Sequence, residues 1–295
     1  MTGRGSTERP AIGDRIAESP EATFPFAFAG YVGTLVATLA AFAVVRVDIS
    51  PTVAGAVVVV GFLVGTLVGV AIAGRDQRLP VRLGRSWRRR TAVLSPAAPL
   101  GLIAGAAWLG RLEPDVGLVG LGAMFLVAII GLVTMRLAET CYVASITADE
   151  PRAHWRWEPP STRRLDTFVL AVWLLLGATN AYGGEWASAI VWTGLALGWM
   201  CTGLAEGRWR IASFGEPPEI RVHDAGLVTQ RPYTRAIVPW SDVSRVRLRE
   251  DELVLDRGFF DVRFERDQLA DLEAARAVIE QHLDASRAGP GTAPR

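Results

Sequence analysis

Three arginines alternate through one short segment, Arg245, Arg247 and Arg249, a spacing that sets three guanidiniums on one face of an extended strand. Each can grip a carboxylate or a phosphate through two parallel N–H bonds, so the chemistry offered is recognition of a protein partner or an anion. Glu250, Asp251 and Glu252 follow directly, and a solvated, charge-balanced strand face is the simpler account of the row. A second basic segment, residues 75–90, carries seven Arg and one Asp interleaved with Leu79, Val81, Leu83 and Trp87. Arg82, Arg85, Trp87 and Arg88 are its candidates for contact with an anionic lipid leaflet, each Arg contributing about 1 kcal/mol near the surface. Retention of basic loops on the cytoplasmic side explains the same charges without any lipid specificity.

Catalysis has no comparable foothold. All 31 basic residues are Arg, which excludes Schiff-base and P-loop lysine chemistry. His154, His223 and His282 are isolated, without metal-ligand spacing, and read as solvated or interfacial side chains. Cys141 and Cys201 are too few for a disulfide scaffold, lack a CxxC spacing, and are expected to be free thiols. There is no HExxH, GxSxG or Walker loop, and no GxGxxG between a strand and a helix. No catalytic residue, metal or cofactor is expected, and the chain reads as a non-enzyme.

The elements that carry these residues are set by composition. Half of the 295 residues are hydrophobic, 30 are Gly, and the mean hydropathy is +0.26, which excludes a disordered chain and argues against a soluble globule. With 31 basic and 30 acidic residues the net charge is +1, so no global field attracts nucleic acid.

A transmembrane helix needs about 20 mainly apolar residues. Six segments fit: 24–45, 52–73, 93–110, 116–135, 167–182 with its flanks, and 186–205. None has an ionisable residue at its centre, where one costs about 2.5–3.5 kcal/mol. The third is the weakest, being short, rich in Ala and Gly, and interrupted by Pro96 and Pro99. Arginine counts arbitrate: the N-terminal tail holds three and the successive connections one, seven, one, five and none. Six spans with both termini inside give this alternation, which predicts a multi-pass protein of the cytoplasmic membrane. The tail before residue 24 lacks signal-peptide character, so the first span is expected to be retained.

The absence of intramembrane carboxylates, His or Arg argues against an ion-coupled pump. The polar candidates within the spans are hydroxyls such as Thr34, Thr38, Thr66 and Thr193, plus Asn180, and a span Thr most often bonds its own helix. Gly61, Gly65 and Gly69 recur every four residues on one helix face and mark a close helix crossing. That crossing lies within one chain on the simpler reading, while a homo-oligomer seam uses the same spacing. Trp87, Trp108, Trp155, Trp157, Trp186 and Trp209 sit near span ends, as interfacial anchors do.

After residue 205 the apolar runs become short and alternating. Strands are predicted at 220–223, 227–230, 234–238, 243–249, 253–255 and 260–265, with turns at 224–226 and 256–258. Asp267 is the expected cap of a final helix reaching Leu283, whose Leu269, Leu272, Ala275, Ile279 and Leu283 face the strands. An antiparallel meander closed by one amphipathic helix, with Ile237-Val238-Pro239-Trp240-Ser241-Asp242-Val243 running from a strand into a turn, resembles the bacterial-type pleckstrin-homology-like (PH-like) domain. Asp224-Ala225-Gly226-Leu227 is similar to that family's first hairpin. The resemblance covers about a quarter of the chain and implies an interaction module rather than catalysis.

The expected architecture is therefore an α-helical polytopic membrane bundle of six transmembrane helices followed by a small cytoplasmic α+β PH-like domain of antiparallel strands plus a C-terminal helix. Its parts are a polar tail at 1–23, the bundle at 24–205, the domain at 206–285 and a disordered tail at 286–295. The expected function is to anchor an interaction domain that binds or organises a protein partner, with contact to anionic lipid and homo-oligomerisation as further options. The alternative is a carrier or channel for a neutral or lipidic solute.

Overall fold

The computed structural model describes residues 20–47, 49–158, 163–209, 217–258, 261–269 and 271–288. The polar tail through residue 19, the C-terminal tail from 289 and Phe260, expected in the last strand, lie outside these.

The chain opens with a helical hairpin, α1 (Pro20–Val44) and α2 (Pro51–Arg75). Ser50 caps α2, its hydroxyl accepting the Val53 N–H at 3.4 Å, and Pro51 fits the first turn because no N–H is needed there. Two short helices, α3 (Leu79–Gly84) and α4 (Trp87–Ala92), lead into α5 (Ala97–Trp108). Next come the long α6 (Pro114–Ile146), the strand β1 (Ala153–Arg156), and a second hairpin, α7 (Arg163–Tyr182) and α8 (Trp186–Ala205). Five helices, α1, α2, α6, α7 and α8, are long and apolar enough to cross a membrane, whereas the helix in the third predicted span has only 12 residues. Pro96 and Pro99 are the cause, because neither can donate to the helical ladder. Between α4 and α5 the chain instead bonds three residues back, from Val93 to Arg90, Leu94 to Thr91, Ser95 to Ala92 and Ala97 to Leu94.

The glycine row of α2 forms its contact with α1. A Cβ on Gly61 would lie 3.1 Å from Ala40 Cβ, one on Gly65 2.8 Å from Gly33 Cα, and one on Gly69 2.6 Å from Ala29 Cα. Any larger side chain at Gly65 or Gly69 would strike backbone, so the row sets the distance between two antiparallel helices of one chain. Thr34 and Thr38 bond carbonyls one turn back in their own helix, at 2.8 Å each.

The β unit comprises β2 (Glu219–His223), β3 (Gly226–Gln230), β4 (Arg235–Pro239), a 3₁₀ turn at Trp240–Asp242, β5 (Arg245–Leu248), β6 (Glu252–Asp256), β7 (Val262–Glu265) and α9 (Leu272–Ala288). All pairings are antiparallel, in one sheet ordered β1-β2-β3-β4 and another ordered β5-β6-β7. The sheet thus extends beyond residues 206–285: β1 comes from the connection between α6 and α7, with Ala153 opposite Val222 and Arg156 opposite Glu219. The α7–α8 hairpin is inserted between two neighbouring strands.

One core unites the unit, joining Ile220, Val222 and Leu227 of the first sheet, Val246, Leu253, Leu255 and Phe264 of the second, and the α9 face Leu272, Ala275, Ile279 and Leu283. Trp240 is only 6% exposed, and its indole N–H donates to the His223 carbonyl at 2.9 Å. Trp157 is equally buried, edge-on to Phe264 at 6.3 Å. It is a core residue and not the interfacial anchor its place near a span suggests, and Trp155 packs on the same core. Trp87, Trp108 and Trp186 are exposed. The final helix is capped by Asp271, which accepts the Ala274 N–H at 2.9 Å, rather than by Asp267. Leu269 is pinned before the helix by a bridge to Trp157, which delays its start, and the helix runs on to Ala288.

Candidate functional site

The β unit is fastened to one end of the helices, and the polar residues concentrate at this junction. Thr140, one turn and a half before the end of α6, accepts the Arg235 backbone N–H at 3.0 Å. Thr234 donates to the Ala205 carbonyl at 2.6 Å, satisfying an acceptor that the end of α8 would leave open. Two ion clusters flank these bonds. Glu139 on α6 pairs with Arg90 of α4 and with Arg136 at 3.4 Å, while Arg208, just after α8, pairs with Asp166 of α7 and with Glu206, both at 2.9 Å. Arg208 also lies over the Trp199 ring at 4.5 Å. Asp166 is nearly inaccessible, so deleting Arg208 leaves its charge poorly solvated, at a cost of about 3–5 kcal/mol.

A second polar group binds the α6–β1 connection to the β2–β3 hairpin. Asp149 accepts the Asp224 N–H at 3.1 Å, and Arg152 pairs with Asp224 at 2.7 Å. His223 is buried in the β unit, neither solvated nor interfacial as expected; its Nδ1 is 3.2 Å from Asp149 Oδ1, though too poorly aligned for a hydrogen bond. Burial raises the Asp149 pKa, but the Asp224 N–H, its own N–H and His223 together hold it below the ordinary value. His282 lies against Trp240, at 5.2 Å between rings, and burial followed by the Arg152 charge pushes its pKa down.

The predicted arginine row lies along β5 and just beyond it. Arg247 is paired with Asp256 at 2.6 Å and Arg249 with Glu252 at 2.9 Å, so two of the three guanidiniums already have acceptors on the neighbouring strand. The Asp256 hydrogen bond, with the charge of that carboxylate, raises the Arg247 pKa. Arg263 stands across Val254 from Arg247 on the same face, making the surface a mosaic of both signs. In the other basic segment, Arg82 pairs with Asp76 at 3.0 Å, while Arg85, Trp87 and Arg88 are exposed around α3 and α4. Gly84 of α3 sits directly on the Ala138 backbone of α6, which puts this basic segment at the end of the bundle that carries the β unit.

At the opposite end, α5, α6 and α8 line an open cavity of about 790 Å³ bounded by Gly101, Gly105, Trp108, Met124, Trp186 and Trp192, among others. Its α6 lining runs only from Pro114 to Met124, a depth of about 15 Å at 1.5 Å per residue. Among the described residues no group of His, Cys, Asp and Glu could hold a metal ion.

Sequence reading missed the junction. Glu139 and Arg136 lie beyond the apolar run that marks the fourth span, and Asp166 precedes the fifth, so each looked like loop charge; the signal was the Arg136/Glu139 pairing at helical spacing. No protein-family model matches the chain, and neither does any curated protein or solved structure.

Proposed function

We propose that this chain is a non-enzymatic integral membrane protein whose six-crossing bundle holds a PH-like unit in fixed orientation at the cytoplasmic face, where the unit binds or organises a protein partner. The observation that carries this reading is the pairing of β1 with β2 across the inserted α7–α8 hairpin, backed by the Thr140 and Thr234 bonds. A module that only needed tethering would require one flexible link; this one is tied to the helices at several points. Two meanders closed by a single C-terminal helix agree with the arrangement on which the PH-like resemblance rests.

The sixth crossing is the path from Trp87 to Trp108. It runs antiparallel to α6: a Cβ on Gly117 would meet Ala107, one on Gly131 would lie 3.1 Å from Leu94, and Arg90 reaches Glu139. Gly117 to Glu139 is about 33 Å of helix, enough for the hydrocarbon core. This crossing puts residues 75–90 and the β unit on one side, in agreement with the arginine alternation.

The partner surface we assign is the outer face of β5–β7, with Arg245, Arg247 and Arg249. Its ion pairs are exposed, and such pairs contribute about 0–1 kcal/mol, so exchange with a partner's carboxylates is inexpensive. The test is chemical crosslinking in native membranes followed by purification. Replacing all three arginines by Gln should reduce recovery of a discrete partner while the protein stays folded, and undiminished recovery would remove this face from the account.

The cavity between α5, α6 and α8 favours a second reading, a carrier for a neutral or lipidic solute. Solute flux in reconstituted vesicles that survives deletion of residues 217–288 would support it.

A further inference from the structure

At the junction four of the described arginines, Arg90, Arg136, Arg208 and Arg231, accompany three described carboxylates, Asp166, Glu206 and Glu139. Asp166 and Glu206 are engaged by Arg208, and Glu139 is shared by Arg90 and Arg136. Arg231, in the connection between β3 and β4, has neither an ion pair nor a side-chain hydrogen bond among the described residues; its guanidinium lies over the Trp157 ring at 5.7 Å. The Nε groups of Arg231, Arg136 and Arg90 are all buried without an acceptor. Burial lowers the Arg231 pKa and the Arg136 charge lowers it further, against a partial counterweight from Glu206 and Glu139. A guanidinium cannot shed its proton near neutrality, so its charge must be balanced from elsewhere. A guanidinium partly withdrawn from water, with no acceptor for its buried Nε among the described residues, is costly.

We infer that Arg231, Arg136 and Arg90 form a binding site for a phosphate oxyanion. Three donor forks with unused N–H groups suit an ion carrying several acceptor oxygens. The depth suits it as well: Arg90 lies 6.0 Å from the ring centre of the exposed Trp87, an indole suited to the headgroup layer, and the site sits where α6 leaves its apolar stretch. The oxyanion is supplied either by the headgroup of an anionic phospholipid or by free phosphate. Bound there, it would neutralise Arg231 and tie the β3–β4 connection to α4 and α6. These residues are distinct from Arg82, Arg85 and Arg88, and the site does not depend on the β5–β7 partner surface.

The test uses the full-length protein, delipidated in a neutral detergent, with the thermal unfolding midpoint followed during titration with phosphatidylglycerol, phosphatidylcholine, inorganic phosphate or acetate at constant ionic strength. Phosphatidylglycerol should raise the midpoint, and Arg231→Gln should increase the concentration giving half the shift at least tenfold. Arg136→Gln should act in the same direction, and Arg263→Gln, on the exposed face of β7, should leave the titration unchanged. A shift with inorganic phosphate as large as with phosphatidylglycerol supports the site and assigns it to free phosphate; a shift with the lipid alone assigns it to the headgroup. Before any anion is added, Arg231→Gln should unfold no earlier than the parent protein, since it removes an unbalanced charge. No shift with either phosphate source, equal titrations for parent and both Gln variants, or a shift with acetate alone would overturn the proposal, the last by handing the site to a carboxylate.

Discussion

Ala153 lies opposite Val222 in an antiparallel strand pair, although the whole α7–α8 hairpin separates them in sequence. Two strands that must meet across an inserted hairpin make the β unit and the helices one folding problem. Arg152 N–H donates to the Val222 carbonyl and Trp157 N–H to the Pro218 carbonyl, at 2.9 and 3.1 Å, so the pairing is bonded at both ends.

Removing that strand should therefore be costly. A soluble fragment of residues 208–286 would expose the edge of β2 and lack Trp157, and it should aggregate or melt without cooperativity. Joining residues 150–158 to its N-terminus through a flexible linker should restore a cooperative β-rich unit, as judged by circular dichroism during urea unfolding. In the full chain, Trp157→Ala should cost about 3–5 kcal/mol, comparable with Trp240→Ala. A near-neutral Trp157→Ala would mean that β1 is an accessory to the unit.

How much of this was legible in sequence follows from the range of each interaction. Apolar runs announce helices by themselves, so α8 begins and ends at the residues expected, and the Gly61/Gly65/Gly69 spacing marks a real crossing. The alternation of Arg245 to Arg249 and the Val238-Pro239-Trp240 step likewise carry their own signal. β1 does not, because Ala-His-Trp-Arg is four residues in a charged connection and becomes a strand only through a partner 63 residues away or more. Trp157 misled for a related reason: a tryptophan near a span end fits the headgroup layer as well as a distant core. The Glu139 and Asp166 pairs depend on which helices adjoin, which no local pattern encodes.

Close packing of α1 on α2 gives a sharp contrast. Gly65→Leu would drive a side chain into the Gly33 backbone and Val36, whereas Val64 is exposed on the same helix. Overpacking costs about 1–3 kcal/mol even where side chains can move, so Gly65→Leu should lower the melting temperature in detergent far more than Val64→Leu. Equal effects would separate α1 from the glycine row.

Acid should loosen the β unit. His282 has its folded pKa below the unfolded value, so the unfolded chain binds more protons between the two, and stability is full above about pH 6.5. That contribution is lost as the pH falls through the folded value. Asp149, also depressed, adds a loss of the same sign in the lower carboxylate window. The urea midpoint followed by tryptophan fluorescence should thus drop from pH 7.5 to 5.5, and His282→Gln should flatten this step. An unchanged midpoint in the parent protein would show that His282 does not couple to folding.

Topology is tested by single cysteines in a background where Cys141 and Cys201 are replaced by Ala. Impermeant thiol reagents should reach Glu113→Cys and Glu185→Cys from outside intact cells and should fail to reach Ser86→Cys. Labelling of Ser86→Cys and Glu113→Cys from the same side would mean that the path from Trp87 to Trp108 does not cross.

A platform held in fixed orientation is tested most directly by the distance between the bundle and the outer face of the β unit. Spin labels at Arg88 and Arg263, both exposed, can be measured by pulsed electron paramagnetic resonance in detergent and in bilayers. One narrow distance distribution, the same in both media, is the result expected if β1, Thr140 and Thr234 lock the unit to the helices; a broad distribution, or one that changes between the media, would contradict it.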